Sequence, residues 1–561
     1  MTVIDQLFIN AQVFNVYLKK FQSTNIAVQD GQIYWLTNTQ PPAQKVIDLN
    51  GKYVVPGLID AHMHIESSMT TPTAFSAQAI QFGTTTIIAD DHEIANVAGL
   101  SGLQEFMKQP SLIDVFYAIP SSVPSTNPEM ETTGGIIDEA ATAELLKNPR
   151  VIALGEAMNF QGLVDEPDSL IHKLVTLCRS KRPTMPLEGH CPKYTGENLA
   201  RFINAGITSD HTQQTPTGML EKIANGMFIE IQAKSLTPEI ITTIMEHQLY
   251  EHIAFVTDDV MADDLQFGHL NKLLEKAINY GLSPEMAIYM ATYTPARRMG
   301  LWDRGAIAPG RVADLIVLDD LATFKISAVY KKGKLVSAKQ PQKATFSDNL
   351  YSSVKAYPVT STDLKLCVSQ VSGTVTANVI AIEPTSTFTA QQQMILQVKN
   401  HQVQWQEAGL ALLIVQERYG KHLPLQFALV KGALNQPGAI GTTWAHDHHN
   451  LMVLGTDIKA MVRAQNQLIK QQGGYLVATN QEVVANVPLP IGGIVSNAPI
   501  SKLGQQLAEV RQAMQSLGYQ HFNEIMSLST LSLLVSPDLK ISDRGMFDVK
   551  SQKLVSLFED N

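Results

Sequence analysis

VVPGLIDAHMHIESS, residues 54–68, decides how the rest of this chain is read. An apolar run ends in two histidines one residue apart, with a glutamate just beyond. Side chains alternate between the two faces of a strand, so His62 and His64 point the same way. Paired imidazoles at a strand end begin a metal site only if other segments supply the remaining ligands. Five further apolar runs end in the same manner. TTTIIADDHE (84–93) ends in His92 and Glu93, and VIALGEAMNF (151–160) carries Glu156. MPLEGH (185–190) ends in His190, GITSDH (206–211) in His211, and IAFVTDD (253–259) in Asp258 and Asp259.

Acidic residues after strands are common helix caps, but histidines are not. Six such endings therefore read as ligands. The donors are imidazole and carboxylate without thiolate, which suits Zn, Mn or Fe rather than a structural zinc knot. Even four histidines and two carboxylates of this set exceed the needs of one tetrahedral ion. A bridging carboxylate would hold two ions about 4 Å apart, sharing a water whose pKa they depress. That is hydrolytic chemistry at an electrophilic carbon.

Around these endings, from 57 to 304, apolar runs alternate with helical patterns such as ENLARFINAG and LNKLLEKAINYG. This is the rhythm of a (β/α)8 barrel, whose reactive groups gather where the strands end; a doubly wound sheet gives a similar rhythm. Residues 1–56 carry short β-rich runs (LFINAQVFNV, NIAVQD, QIYWLT) broken by turn signals. The same texture returns at 305–345, in GAIAPGRVADLIVLDD and ISAVYKKGKLV, so the two blocks are expected to pair into one small β domain beside the barrel. After a boundary near 340–362, residues 360–561 mix strands with the helical runs IKAMVRAQNQLIK and ISKLGQQLAEVRQAMQS, giving an α/β or α+β domain.

The chain has 561 residues and a hydrophobic fraction of 45%. Its net charge of −10 argues against polyanionic partners such as nucleic acid. No apolar run reaches the length of about 18 residues that a membrane span needs. The N-terminus lacks the pattern of a signal peptide. Three scattered cysteines, with no CxxC, suit a reducing compartment. The expected location is cytoplasmic. A zinc deaminase of the cytidine type is excluded, because its paired-cysteine signature is missing.

The stretches PGLIDAHMHIESSM, FGTTTIIADDHEIANVAG, GEAMNF, GHCPKYTGENL, AGITSDH, FVTDDVMADD and GAIAPGRVADLIVLDDL resemble the amidohydrolase superfamily, and within it the bacterial adenine deaminases. The likeness continues through GAIGTTWAHDHHNLMVLGTD, PLPIGGIVS and SPDLKISDRGMFDV, and so covers nearly the whole chain. It implies hydrolysis of adenine to hypoxanthine and ammonia, in purine salvage, by a metal-bridging hydroxide attacking C6. It also implies two divalent ions, Mn or Fe first and Zn third. His62, His64, Glu156, His190, His211 and Asp258 match the ligands, with Glu156 bridging and Asp258 also shuttling the proton. GEAMNF has no lysine at the bridging position, unlike dihydroorotases and hydantoinases.

Glu66, His92 and Glu93 are the further candidate catalytic residues. Each could contact the purine or orient a ligand. His446, Asp447 and His449, in AHDHHN (445–450), could close the pocket, contact a neighbouring subunit, hold a separate metal ion or make plain structural hydrogen bonds; on a strand, His448 and His449 would point apart, which weighs against the separate metal site. Cys191, beside a ligand, is read as inert. A homo-oligomer, with a dimer favoured, is expected from relatives. The open alternatives are another binuclear amidohydrolase, acting on a different purine or a cyclic amide, and a ligand-binding homologue without turnover.

Overall fold

The computed structural model describes residues 3–337 and 343–559. The expected 305–345 block therefore includes five positions, 338–342, outside the described residues.

Eight parallel strands form the centre: β1 Leu58–Met63, β2 Thr84–Ala89, β3 Asp114–Ile119, β4 Val151–Ala157, β5 Leu187–Gly189, β6 Ser209–Asp210, β7 Phe228–Ile231 and β8 Ile253–Phe255. β1 to β5 pair in sequence order, as do β6 to β8. Backbone hydrogen bonds close both seams. Thr208 N donates to Leu187 O (2.9 Å), and Asp258 N donates to His62 O (3.2 Å). The sheet is thus a closed (β/α)8 barrel rather than a doubly wound sheet. Helices cover it, starting where the sequence caps them. Thr215, Thr237 and Ser283 each accept the N–H three residues on and are followed by proline, which fits the first helical turn. Leu270–Asn279 shows the matching inner stripe, burying Leu270, Leu273, Leu274 and Ala277.

The β-rich blocks before and after the barrel form one eight-stranded sheet. Its central join pairs Tyr53–Pro56 antiparallel with Leu315–Asp320. Phe8, Val13, Val54, Leu315 and Val317 fill the core of this sheet. The chain leaves it for β1 through Gly57, where a Cβ would lie 2.1 Å from Thr85 Oγ1. Only glycine fits this crossing.

The C-terminal region is α+β. A nine-stranded sheet, antiparallel except where Ser372–Ile382 meets Gln426–Lys431, carries the helices Ile458–Lys470 and Ile500–Ser516. A three-stranded sheet follows between Leu539 and Val555. This region is not hung on a linker. One hydrophobic cluster joins Ile65, Ile94 and Val97 of the barrel to Ile491, Val495 and Leu503. Arg511, on the second helix, donates to Asp263 beyond β8 at 2.6 Å.

Candidate metal centre

β1 is buried along its whole length, and His62 on it and His64 just past its end both face the carboxylates of the barrel mouth. The Nδ1 of His64 lies 2.7 Å from the carbonyl of Asp90. A carbonyl only accepts, so Nδ1 carries a hydrogen and Nε2 is the nitrogen left to ligate; burial opposes a second proton, but Asp258 and Glu156 favour one there when no ion is bound. That Nε2 faces Glu156 Oε1 at 3.3 Å and Asp258 Oδ1 at 3.2 Å. His62 Nε2 is buried without a hydrogen-bond partner, 3.8 Å from Asp258 Oδ1. Its ring stacks on His211 with centroids 4.0 Å apart. The other oxygen of Glu156, Oε2, faces His190 Nδ1 at 2.8 Å and His211 Nε2 at 3.1 Å. One carboxylate therefore spans two sets of nitrogens. The His190 and His211 nitrogens are themselves only 3.3 Å apart.

These residues fit a pair of divalent ions. Nitrogen lone pairs and carboxylate oxygens converge in a buried space, and an orphaned imidazole nitrogen points into it; uncompensated, such groups cost free energy. His62, His64, Glu156 and Asp258 would hold one ion, and Glu156, His190 and His211 the other. The electrostatics agree. Burial would raise the Glu156 pKa, but His211 and His190 override it and hold the carboxyl well below its usual range. Burial likewise opposes ionisation of Asp258, and the contacts from His64, His211 and Lys234 reverse it. Burial, helped by His211 and His64, keeps His62 neutral and ready to ligate.

Asp258 has φ = 57°, in the left-handed region that a non-glycine residue rarely adopts. That turn sends Oδ1 back toward His62 and His64. Gln232 donates to Oδ2 at 2.6 Å, and Lys234 stands 3.8 Å from it. Asp90 Oδ2 accepts from the Glu156 backbone N–H at 2.9 Å. His92 lies with Nδ1 3.7 Å from Asp90 and 4.0 Å from Glu156. Burial would lower the His92 pKa, but the Asp90 and Asp447 carboxylates carry it up to about 10.

The amidohydrolase family matches residues 53–336, and the adenine deaminase C-terminal domain matches residues 386–553. An adenine deaminase of Lactobacillus delbrueckii subsp. bulgaricus is 56% identical over 100% of both chains. An Oenococcus oeni relative named adenine deaminase 2 is 54% identical over 99% of each. A Clostridium perfringens adenine deaminase is 47% identical over 99% of this chain and 100% of its own. The chain belongs to the adenine deaminase family of amidohydrolases.

The C-terminal domain typical of adenine deaminases brings the 445–450 segment to the barrel mouth. His446 Nε2 lies 3.0 Å from Glu93 Oε1, and Asp447 Oδ1 lies 3.9 Å from His92 Nε2. His449 Nε2 stands 3.8 Å from Glu93 Oε2. The segment is a turn, not a strand. His449 N donates back to Ala445 O at 2.7 Å, and His449 has φ = 50°. The expected strand alternation of His448 and His449 is therefore corrected: chain reversal, not period two, separates them. Arg418, Ser529 and Ser532 anchor the turn, and Asn450 reaches Thr132 O at 2.9 Å.

Glu66 is not brought to the ligand cluster. Its Oε1 accepts from Ile94 N at 2.9 Å, at the start of the helix His92–Met107. Burial and the adjacent Asp91 carboxylate push its pKa well up. Glu93 faces the C-terminal domain, and Ser67 donates to Asp259 at 2.6 Å beside it. Sequence reasoning did not single out Asp90, Gln232 or Lys234. A signal was available, since all three follow apolar strands, as the histidines do.

Proposed function

We infer that this chain hydrolyses adenine to hypoxanthine and ammonia at the β1–β8 mouth. The full-length likeness to adenine deaminases, including their C-terminal domain, carries this reading. Divalent ions held by His62, His64, Glu156, His190, His211 and Asp258 would supply a water nucleophile at neutral pH and positive charge for the adduct at C6. The imidazole and carboxylate donors suit Mn, Fe or Zn, and the resemblance to adenine deaminases puts Mn or Fe first.

Asp258 is assigned the proton. Its ionised carboxylate takes one from the attacking water and passes it to the departing amino group, so water adds at C6 and ammonia leaves. Gln232 holds the far oxygen of that carboxylate and fixes its direction. His92, protonated and between Glu156 and Asp447, is assigned to donate to a purine ring nitrogen. Glu66 supports the loop through the Ile94 N–H rather than contacting the base. The turn with His446, Asp447 and His449 is assigned to close the pocket and exclude water.

We extend the reading to a cytoplasmic enzyme of purine salvage, free of nucleic-acid partners and assembled as a dimer. The free, mostly buried cysteines suit such a compartment. Among the described residues, no helix is long and apolar enough to cross a membrane. The test is direct: purified, metal-loaded protein given adenine should release hypoxanthine and ammonia in equal amounts. Metal-loaded protein that leaves adenine intact but opens a cyclic amide would move the substrate class.

A further inference from the structure

We propose that Glu93, Asp259 and His446 form a third divalent-cation site, separate from the six-residue cluster, that clamps the C-terminal domain onto the barrel. One imidazole nitrogen and two carboxylate oxygens, one from each residue, all lie within 4.8 Å of one another. They come from three places: the first turn of the helix His92–Met107, the loop after β8, and the 445–450 turn.

Hydrogen-bond bookkeeping points to a cation. Ser529 Oγ donates to the carbonyl of Trp444 at 2.8 Å, so its single hydrogen is used. Its oxygen must then accept from His446, whose Nδ1 is 2.9 Å away and whose backbone N is 3.1 Å away. Nδ1 is therefore the protonated nitrogen, and in the neutral ring Nε2 is a lone pair aimed at Glu93 Oε1, 3.0 Å away. Two electron-rich atoms so placed need a positive charge between them, which is either a proton on Nε2, favoured by Glu93 against burial, or a metal ion. His64 has the same arrangement in the main cluster: Nδ1 bound by a fixed acceptor and Nε2 facing carboxylates.

The surroundings repeat the demand. Ser67 Oγ has one hydrogen but faces two carboxylates, Asp259 at 2.6 Å and Glu93 at 3.2 Å. Glu93 Oε2 has no hydrogen-bond partner. Nor does either ring nitrogen of the fully buried His449, whose Nε2 lies 3.8 Å from that oxygen. Two carboxylate side chains and two imidazoles, with Glu93 Oε2 and the His449 nitrogens lacking hydrogen-bond partners, converge where a divalent ion would satisfy them. Imidazole and carboxylate donors favour Mn, Fe or Zn over Ca or Mg.

Metal content of protein saturated with Mn and freed of excess metal should approach three ions per chain. Anomalous diffraction at the manganese edge should place one of them among Glu93, Asp259 and His446. His446→Ala should lose one equivalent and keep two. A wild-type count of two, with no anomalous peak there, overturns the site and leaves a protonated His446 paired with Glu93. A count unchanged by His446→Ala overturns it as well. Should the variant fail to fold, the wild-type diffraction decides alone. The deamination reading is independent: two ions with full adenine turnover would sink this site and leave that reading intact.

Discussion

The barrel has buried charge at both ends, but of two kinds. At the floor, Lys331 donates to Asp114 (2.7 Å), Asp314 (2.6 Å) and Thr85 O (3.1 Å). Arg304 donates to the same Asp114 (2.8 Å) and to Thr86 (2.8 Å). Cations answer carboxylates there, and the network ties the small β sheet to β2 and β3. At the mouth, His62 Nε2, His211 Nδ1, His92 Nδ1 and Asp90 Oδ1 are all buried without a hydrogen-bond partner. A closed network is architecture. An open one, here the more deeply buried of the two, keeps its free energy for a ligand.

Substitutions at the two ends should separate stability from chemistry. The largest effect is expected at Glu156. Glu156→Gln should end tight binding of the second ion and lower adenine turnover by on the order of 10³-fold or more; two bound metals at full rate would remove the bridging assignment. Asp258→Asn should lower kcat by about 10²–10⁴-fold while metal content, measured on the same sample, falls much less. Parallel losses would make Asp258 mainly a ligand.

The floor should behave oppositely. Lys331→Met leaves Asp114 and Asp314 short of a cation and should cost about 3 kcal/mol of folding stability, with turnover per metal-loaded chain unchanged. Burial would raise the Asp114 pKa, but Lys331 and Arg304 hold it below its usual value. A carboxyl with a depressed folded pKa stabilises above its unfolded pKa of about 4 and loses that contribution as pH falls. Asp114→Asn should therefore flatten acid unfolding below about pH 4; an unchanged profile would show the network to be idle. The smallest effect concerns Cys191, whose thiol burial and the nearby Asp210 push up to about 12. A thiol reagent under native conditions should modify the exposed Cys367 and leave activity unchanged.

The contrast also marks what the sequence could reveal. His62 and His64 were legible because period-two alternation is local, and Glu156 because it lies within a strong apolar strand. β6 is only two residues long, yet GITSDH still marked the strand end that carries His211 into the cluster. The partner of Glu66 was not legible, because Ile94 N–H is a backbone group without a sequence signature. The meeting of Glu93 with His446 was illegible too. It depends on how the C-terminal domain docks, through contacts such as Arg511 with Asp263, and no local pattern encodes that. The fold class was readable from rhythm, but barrel closure rests on two seams of single hydrogen bonds that rhythm does not contain.

The most direct test of the open mouth as a two-ion site is a titration of metal-free protein with Mn, following adenine deamination at each addition. Activity should be absent at the start, rise, and break at two equivalents per chain, with further binding leaving the rate unchanged. Full activity at one equivalent, or in the metal-free protein, would contradict the account.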